Sequence, residues 1–503
     1  MDMTQSTIFN KLKQACSDLQ TTPTTQLFAT ENNRFANFSR RFDQLLLDFS
    51  KQKITQEVFD LLLALAEELN LRQAIQALSK GEIVNHSENR PAKHMHVRAP
   101  QPTSDIEDER RKMQEFIVNN TFEQVIHIGI GGSDLGPQMV VQALQPFALE
   151  NAPKIHFISN TDGDHLSAIL SAANPHKCLC IISSKSFTTL ETLTLATKVI
   201  AWYAQSLAPD KIAQHLIAIT ANPAKAIEFG LKENNIFKFW DFVGGRYSIW
   251  SAIGLPLALT IGYEQFMQFL NGAHALDQHF IDAPLADNLP VILALIGILN
   301  INFYNYQTHC VMPYTDALQL FPSYLQQLEM ESNGKQAKFN TAPVVWGSVG
   351  CNGQHAYMQL LHQGTIIAPI DFILPTKAPH GDHELQNVLI SSCLAQSRAL
   401  LTGSSAVTYQ HCPGDKPSTT IICEQLTPYT LGQLIALYEQ KVFAQAIIWG
   451  LNPFDQWGVQ LGKIINEQLL AIIQQPKFSA DSLDKLDSST KGLLQIIYSE
   501  KVN

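Results

Sequence analysis

The sequence has 503 residues, of which 45% are hydrophobic and 16% are charged, a composition typical of a globular protein with large buried cores. Its 35 basic and 45 acidic residues give a net charge of −10, and no block of lysine or arginine stands out, which disfavours a nucleic-acid partner. An anionic ligand would therefore need local positive groups rather than a broadly basic surface.

The sequence also bears on where the protein works. Its N-terminus lacks a basic segment followed by an apolar one, so we expect no secretory signal. The apolar runs 250–263 and 289–301 are shorter than the ~20 residues that cross a bilayer, so we expect core helices and no membrane segment. The 8 cysteines include no Cys-x-x-Cys pair, and we predict a cytoplasmic protein with reduced thiols.

Residues 1–105 are predicted to form an N-terminal helical segment that packs on the larger domain. Apolar residues recur there at helical spacing. The first series is Phe35, Phe38, Phe42, Leu45, Leu46 and Phe49, and the second is Val58, Leu61, Leu62, Leu65 and Leu69. Residues 81–104 are polar and contain three prolines, so they are expected to form an irregular loop.

Residues 106–265 are predicted to form the first and smaller α/β domain. Short apolar runs alternate there with helical stretches, at 125–130, 155–159, 178–183 and 216–220. Such runs are typical of parallel strands that helices cover on both faces. Ligands of these sheets bind beyond the carboxyl ends of the strands, so the residues that follow each run are candidates for a site.

Residues 266–503 are predicted to form the second and larger α/β domain, with a C-terminal helical arm. The apolar run 343–346 is followed by glycines and a helical stretch, and 365–372 and 419–423 are further strand candidates. This repeats the strand–glycine–helix order of the first domain. It indicates a duplicated α/β unit, although the similarity between the two halves is weak.

The first predicted strand ends in a glycine-rich loop. Residues 129–137 read Gly-Ile-Gly-Gly-Ser-Asp-Leu-Gly-Pro, and Pro137 suits the first turn of a helix. Free N–H groups and the positive end of a helix converge at such a turn and can bind an anion. The loop does not fit the dinucleotide fingerprint, because Asp134 stands where a third glycine is required. A tight turn without a ligand is the alternative.

A second candidate for anion binding follows the third apolar run. Residues 184–191 read Ser-Lys-Ser-Phe-Thr-Thr-Leu-Glu, which gathers four hydroxyls and one ammonium at a predicted helix start. Thr188 and Glu191 have the spacing of a capping box, which predicts where that helix begins. Hydroxyls, backbone N–H groups and the helix dipole suit a phosphate dianion, and an ordinary capped helix is the alternative.

Two segments carry candidates for acid–base chemistry. Arg246 follows Gly244 and Gly245, which let the backbone approach a ligand, and its guanidinium is suited to neutralise a developing oxyanion. Glu331 precedes the Asn-Gly pair at 333–334, a helix stop, so it is expected at the negative end of a helix, where a carboxylate accepts a proton more readily. The alternatives are a structural salt bridge for the arginine and a solvated helix-end carboxylate.

Three further polar residues are candidates in the second domain. His355 begins a predicted helix and suits an acid or a base, with a capping or packing role as the alternative. Gln456 and Lys463 are seven residues apart and would share a helix face, and a solvated lysine is the alternative. We predict no metal site, because even the neighbouring His380 and His383 lack a convincing third ligand.

Together, these segments resemble the glucose-6-phosphate isomerase (phosphoglucose isomerase) family. The matching segments follow the family's order and are 129–137, 184–192, 241–254, 324–335, 350–364 and 454–463. The resemblance implies an α/β fold of two three-layer αβα sugar-isomerase (SIS) domains with mainly parallel sheets, and helical extensions at both ends. It also implies the reversible isomerisation of D-glucose 6-phosphate to D-fructose 6-phosphate, a step of glycolysis and gluconeogenesis.

The resemblance further implies how the reaction proceeds. The ring opens, and a base moves a proton between C1 and C2 through a cis-enediol(ate), with no metal or organic cofactor. By this resemblance Glu331 is the base, Arg246 stabilises the enediolate, and His355 and Lys463 open the ring. The family works as a homodimer in which His355 of one subunit would reach the site of the other. The remaining matching positions are substrate contacts: Gly132, Ser133, Ser184, Lys185, Ser186, Thr189, Gly245, Gln327 and Gln456.

The chain departs from the family at a few positions. Ser186 and Cys351 stand where threonine is usual, and Gln460 stands where glutamate is more frequent, which removes an ion-pair partner of Lys463. A non-catalytic regulator that binds sugar phosphate is the alternative function. It is disfavoured because all four acid–base candidates are present, whereas binding alone needs only the phosphate loop. A dinucleotide-dependent oxidoreductase is disfavoured by Asp134.

Overall fold

The computed structural model describes residues 3–378, 381–405, 407–475 and 483–501. The chain divides into two compact units, Met1–Phe454 and Asp455–Asn503. Within the described ranges, no helix combines the length and the apolar character needed to cross a membrane. The predicted domain boundaries at 105/106 and 265/266 stay a prediction.

Helices make up most of both units. Those of the first unit are α1 Thr7–Leu19, α2 Thr24–Thr30, α3 Arg34–Asn37, α4 Gln56–Glu68, α5 Leu71–Ser79, α6 His94–Val97, α7 Ser104–Val118, α8 Leu135–Ala143, α9 Gly163–Ala172, α10 Leu190–Tyr203, α11 Pro209–Ile212, α12 Pro223–Glu228, α13 Leu255–Ile261, α14 Tyr263–Asp282, α15 Leu289–Ile298, α16 Phe321–Leu325, α17 Gly350–Ala356, α18 Met358–Gln363, α19 His383–Thr402 and α20 Pro428–Trp449. The π-helical turns Leu299–Phe303 and Gln326–Glu331 extend α15 and α16. The second unit contains α21 Trp457–Ile473 and α22 Ser488–Lys501.

Among the described residues, the strands all belong to the first unit. They are β1 Ser39–Phe42, β2 Leu45–Asp48, β3 Ile83–Asn85, β4 Arg90–Pro91, β5 Gln124–Ile128, β6 Lys154–Ile158, β7 Cys178–Ser183, β8 Leu216–Thr220, β9 Ile236–Lys238, β10 Thr308–Pro313, β11 Val344–Trp346, β12 Ile370–Lys377 and β13 Ser418–Gln425. They form a six-stranded sheet in the order β1-β2-β13-β12-β10-β11, a five-stranded sheet in the order β6-β5-β7-β8-β9, and the hairpin β3-β4. The predicted α/β class with mainly parallel sheets is confirmed.

The five-stranded sheet matches the sequence prediction closely. All its pairs are parallel, and β7 and β8 coincide with the predicted runs 178–183 and 216–220. Both strands are buried at every position, which explains their unbroken apolar character. The short edge strand β9 was not predicted, because its three residues carry too little pattern.

The six-stranded sheet required two corrections. The predicted strand 365–372 is wrong in its bounds, because pairing with β10 begins only at Ile370, after Pro369, and the strand then continues to Lys377. The helical prediction for the series from Phe35 to Phe49 holds only for Phe35, which lies in the one-turn helix α3, and is wrong beyond it. Residues 39–42 and 45–48 form β1 and β2, in which Leu45 and Leu47 are buried and Leu46 is less so, the alternation of a strand.

Helix α20 runs through the core of the first unit and is buried along almost its entire length. Its charged residues are therefore paired. Glu439 accepts a hydrogen bond from Trp250 Nε1 at 2.9 Å and pairs with Arg98, whose guanidinium also binds Asp277. Burial of charged side chains is tolerated only with such partners. Another buried charge on this helix, Lys441, contacts the π-helical turn that bears the candidate base.

Candidate active site

The glycine-rich loop forms the predicted turn from strand to helix. After β5, Gly131–Ser133 form a 3₁₀ turn, and α8 begins at Leu135 with Pro137 in its first turn. Gly131 has φ of +57°, a conformation that residues with a side chain rarely adopt. A Cβ at this position would lie 3.0 Å from Gln327 Nε2, so the structure brings the predicted contact Gln327 to this loop.

The same loop packs against the segment that carries the arginine. A Cβ added to Gly132 would lie 2.1 Å from the carbonyl carbon of Gly245 and 2.6 Å from the backbone nitrogen of Arg246. No residue larger than glycine fits there without a backbone shift. Ser133, the next residue in the turn, is buried. The contact therefore joins three of the predicted site residues, Gly132, Gly245 and Arg246, although they come from distant parts of the sequence.

The sequence did not indicate that Asp134, in the same loop, is buried. It is 4% exposed, and its Oδ1 has no hydrogen-bond partner among the described residues. Burial raises the pKa of this carboxyl to about 6, although a hydrogen bond with Ser159 acts in the opposite direction. A carboxyl that titrates near neutral pH thus borders the glycine loop.

The candidate phosphate loop, residues 184–189, follows β7 as predicted, and its hydroxyls contact one another. Ser184 Oγ lies 3.1 Å from Thr189 Oγ1, and Ser186 Oγ lies 2.8 Å from Thr188 Oγ1. The capping-box prediction is wrong: α10 begins at Leu190, one residue later than that spacing requires, and Thr188 bonds Ser186 instead of capping the helix. In each contact one hydroxyl donates and the other keeps an O–H donor, which is suited to an anion.

Lys185 links the phosphate loop to the arginine segment. Its Nζ donates to the carbonyl oxygens of Asp241 at 2.7 Å and of Val243 at 2.9 Å. Arg90 Nη1 donates to the same Asp241 oxygen at 3.0 Å, so two cations meet at one carbonyl. Burial, and then the nearby charge of Arg90, lower the pKa of Lys185 to about 8. No sequence motif pointed to Arg90, because its proximity to Lys185 depends on the hairpin β3-β4.

Arg246 and Glu331 meet in a buried part of the first unit. Arg246 Nη1 lies 3.6 Å from Glu331 Oε2, and the two side chains are 2% and 19% exposed. The guanidinium is fixed by two more contacts: Nε donates to Ser332 Oγ at 2.6 Å, and Nη2 donates to the carbonyl oxygen of Pro453. Ser332 also bonds the hydroxyl of Tyr247 at 3.1 Å. A carboxylate therefore lies beside an immobilised cation.

The helix that carries Glu331 ends where the sequence predicted. The π-helical turn Gln326–Glu331 is followed by two last helical residues, Ser332 and Asn333. Asn333 Nδ2 donates to Val442 O at 3.0 Å, and a Cβ on Gly334 would lie 2.3 Å from Met330 O. The helix thus ends at Asn333-Gly334, where the side-chain amide of Asn333 is buried and the backbone of Gly334 approaches that of Met330. The wide π turn itself had no recognisable sequence signal.

The other acid–base candidates are carried by other elements. His355 is exposed on α17, and its side chain makes no hydrogen bond or ion pair with the described residues. Gln456 and Lys463 belong to the second unit, where Gln456 is the N-cap residue of α21 and Lys463 is exposed on that helix. The structure describes no cluster of three metal-ligating residues in the ranges it covers, and His380 lies outside them.

The joined residues define a class of protein: an α/β protein in which loops at the carboxyl ends of parallel strands contact the segment that carries one member of a carboxylate–arginine pair suited to proton transfer. The family model described as "Phosphoglucose isomerase" matches residues 48–494. The chain belongs to this phosphoglucose isomerase family.

Individual relatives agree with the family assignment. The chain is 40% identical to "Glucose-6-phosphate isomerase" from Chlorobium luteolum, with 98% of each chain covered. It is 43% identical to a protein of the same name from Acinetobacter baumannii, with 94% of this chain and 93% of the relative covered. The crystal structure of a glucose-6-phosphate isomerase from Chlamydia trachomatis is similar, with a TM-score of 0.88, 29% identity, and coverage of 99% of this chain and 100% of that chain.

Proposed function

We propose that the protein interconverts D-glucose 6-phosphate and D-fructose 6-phosphate as an aldose–ketose isomerase of glycolysis and gluconeogenesis. The observation that carries this proposal is the Arg246–Glu331 pair, with 3.6 Å between Nη1 and Oε2. A C–H bond beside a carbonyl is a weak acid, so its proton is removed only when a placed carboxylate receives it and a cation stabilises the oxygen that gains charge. Membership of the phosphoglucose isomerase family supports the same chemistry.

Each proton in this scheme has a defined path. Glu331 takes the C2 proton of the open-chain aldose, and the electrons of that C–H bond form the C1–C2 double bond of the enediolate. Arg246 stabilises the resulting oxyanion on O1. The hydroxyl proton on O2 then passes to O1, and the protonated Glu331 returns its proton to C1 while the electrons on O2 form the C2 ketone. The net charge of the Arg246–Glu331 pair is the same before and after one catalytic cycle, because Glu331 is deprotonated at both points.

Ring opening is proposed to use His355 and Lys463, which match the family's ring-opening groups. We further propose a homodimer in which His355 of one subunit completes the site of the other. The exposed position of His355 on α17, without a side-chain partner among the described residues, is compatible with this arrangement. The site would then need no metal or organic cofactor, and the protein would work in the cytoplasm on a small hexose 6-phosphate.

The phosphate group is proposed to bind at the loop after β7. Its proposed ligands are Ser184, Lys185, Ser186 and Thr189, and further substrate contacts are Gly132, Ser133, Gly245, Gln327 and Gln456. The cluster of hydroxyls beside a lysine supports this assignment. The two α/β domains are proposed to span 106–265 and 266–503, after the helical segment 1–105.

The experiment that tests the function is a coupled assay on the purified protein. With fructose 6-phosphate alone, it should produce glucose 6-phosphate, which a dehydrogenase reports. Thermal stabilisation by the sugar phosphate without turnover would instead favour the non-catalytic regulator.

The base is tested by Glu331→Gln. This variant should lose exchange of the substrate C2 proton with solvent and still bind the sugar phosphate, because the amide keeps the shape but accepts no proton. Glu115→Gln, at an exposed position of α7, is the matched control and should exchange as the wild type does. Unchanged exchange in Glu331→Gln would contradict the assignment of the base.

A further inference from the structure

The helix end that carries Glu331 is held from behind by a buried ion pair. Both carboxylate oxygens of Glu329 accept hydrogen bonds from Lys441 Nζ, at 2.9 Å and 2.8 Å. Both side chains are 2% exposed. Glu329 lies two residues before Glu331, and residues two apart point to different sides of a helix. The Glu329–Lys441 ion pair therefore stabilises the side of the π-helical turn that faces away from Arg246.

A second anchor lies two residues after Glu331. Asn333 is fully buried, and its Nδ2 donates to the carbonyl oxygen of Val442 at 3.0 Å. Lys441 and Val442 are neighbours on α20, so one short stretch of that core helix holds the positions before and after the base. Glu331 sits between these anchors and faces the arginine.

The π-helical geometry of the turn Gln326–Glu331 needs stabilising contacts of this kind. Residues Gln326–Glu331 form a π-helical turn, a rare conformation that occurs frequently at functional sites. A relaxation toward the ordinary α-helical register would re-aim the side chains along the turn, and misplacement of a catalytic group by about 1 Å can cost roughly 100-fold in rate. A buried ion pair is in itself weak evidence for stability, so its position directly behind the base points to another role.

We propose that Glu329 and Lys441 are positioning residues, which hold the π-helical turn in register and thereby aim the carboxylate of Glu331 at the substrate. This inference rests on the proposed isomerase function. Neither side chain touches the substrate in this scheme. Their effect passes through the backbone of the turn to Glu331.

Three changes test the proposal. Glu329→Gln removes one charge, the double change Glu329→Gln with Lys441→Met removes both, and Lys441→Arg keeps the pair. The double variant is included because losing both buried charges is tolerated better than leaving one unpaired. The matched control is Asp277→Asn, which weakens the equally buried pair of Asp277, on α14, with Arg98; these side chains are 1% and 0% exposed.

Four quantities are measured for each variant: kcat, KM, exchange of the C2 proton, and the Kd of a hexitol 6-phosphate, which has no carbonyl and cannot react. We expect kcat and proton exchange to fall by about 100-fold in the first two variants, with the Kd changed by less than about threefold. Lys441→Arg should retain most of the activity. Asp277→Asn should lower the melting temperature and leave kcat near the wild-type value.

The outcomes separate this inference from the function on which it rests. A wild-type protein that neither turns over substrate nor exchanges the C2 proton would overturn the proposed function. An active wild type together with a folded double variant of unchanged kcat would overturn only the positioning role. An equal loss of kcat in Asp277→Asn would also overturn it, since the loss would then follow from general destabilisation.

Discussion

The pH dependence of ligand binding should reveal whether Lys185 holds the phosphate. Its pKa is lowered from the ordinary value of 10.5 to about 8, by burial first and then by the positive charge of Arg90. An ammonium has three N–H donors, and the carbonyl oxygens of Asp241 and Val243 occupy two of them. One donor therefore remains for an anion, and it is lost as the lysine deprotonates.

The size of the effect follows from this pKa. The second pKa of a phosphate monoester is about 6, so above pH 7 the ligand stays a dianion and only the protein titrates. If only the charged lysine binds, the Kd of a hexitol 6-phosphate should roughly double from pH 7 to pH 8 and rise about tenfold by pH 9. The stability of the fold changes with pH in the opposite sense to ligand binding: it increases as the lysine deprotonates. Because the folded pKa lies below the unfolded one, the charged lysine destabilises the fold below pH 8, and this cost disappears as the pH rises from about 8 toward 10.5.

Isothermal titration calorimetry between pH 7 and pH 9.5 provides the measurement. Lys185→Met should bind weakly and show no break near pH 8, whereas Arg90→Met should move the break to higher pH because a repelling charge is gone. Lys198→Met, at an exposed position of α10, should keep the wild-type profile. A wild-type Kd that does not change with pH, or a break that persists in Lys185→Met, would refute the reasoning.

Two further predictions concern the glycine loop. Gly132→Ala places a Cβ 2.1 Å from the carbonyl carbon of Gly245, so it should cost about 1–3 kcal/mol of stability and reduce kcat. The control Gly163→Ala, whose added Cβ has nothing within 4 Å, should change neither quantity. Thermal melts measure the stability and the coupled assay measures kcat. Burial raises the pKa of Asp134 from 3.8 to about 6, so its ionisation destabilises the fold as pH rises through that range. Asp134→Asn should therefore stabilise the protein by up to roughly 3 kcal/mol at pH 7.5 and by nothing below pH 4, and an equal gain at both pH values in chemical denaturation would contradict this.

The sequence predicted best those parts of the fold whose pattern is local. The strands β7 and β8 were located to the residue because a strand covered on both faces is apolar at every position. The helix stop after Glu331 was located because Asn-Gly ends helices by local geometry. The glycine loop was recognised for the same reason, since its turn depends on residues that are adjacent in the chain.

The parts that were missed depend on distant partners. The residues of β1 and β2 fit a helical spacing, and they form strands because β2 pairs with β13, where Leu47 faces Ile421. Tertiary pairing of this kind overrides local propensity. In the site, the contact of Arg90 with Asp241 and that of Ser332 with Arg246 join segments far apart in sequence. No sequence motif predicts these two contacts, so they are recognised only in the folded chain.

These long-range contacts connect the phosphate loop to the base in a continuous series. Lys185 holds the carbonyl oxygens of Asp241 and Val243, the residues that lead into Arg246. Arg246 in turn bonds Ser332, the neighbour of Glu331.

A phosphate bound at the loop would therefore fix one end of a chain of hydrogen bonds whose other end positions the carboxylate. Binding energy from a non-reacting group can lower the barrier only if it orients the groups that react. This series offers a physical route for that effect, and under the proposed function it gives a reason why Lys185 donates two of its hydrogen bonds to backbone carbonyls.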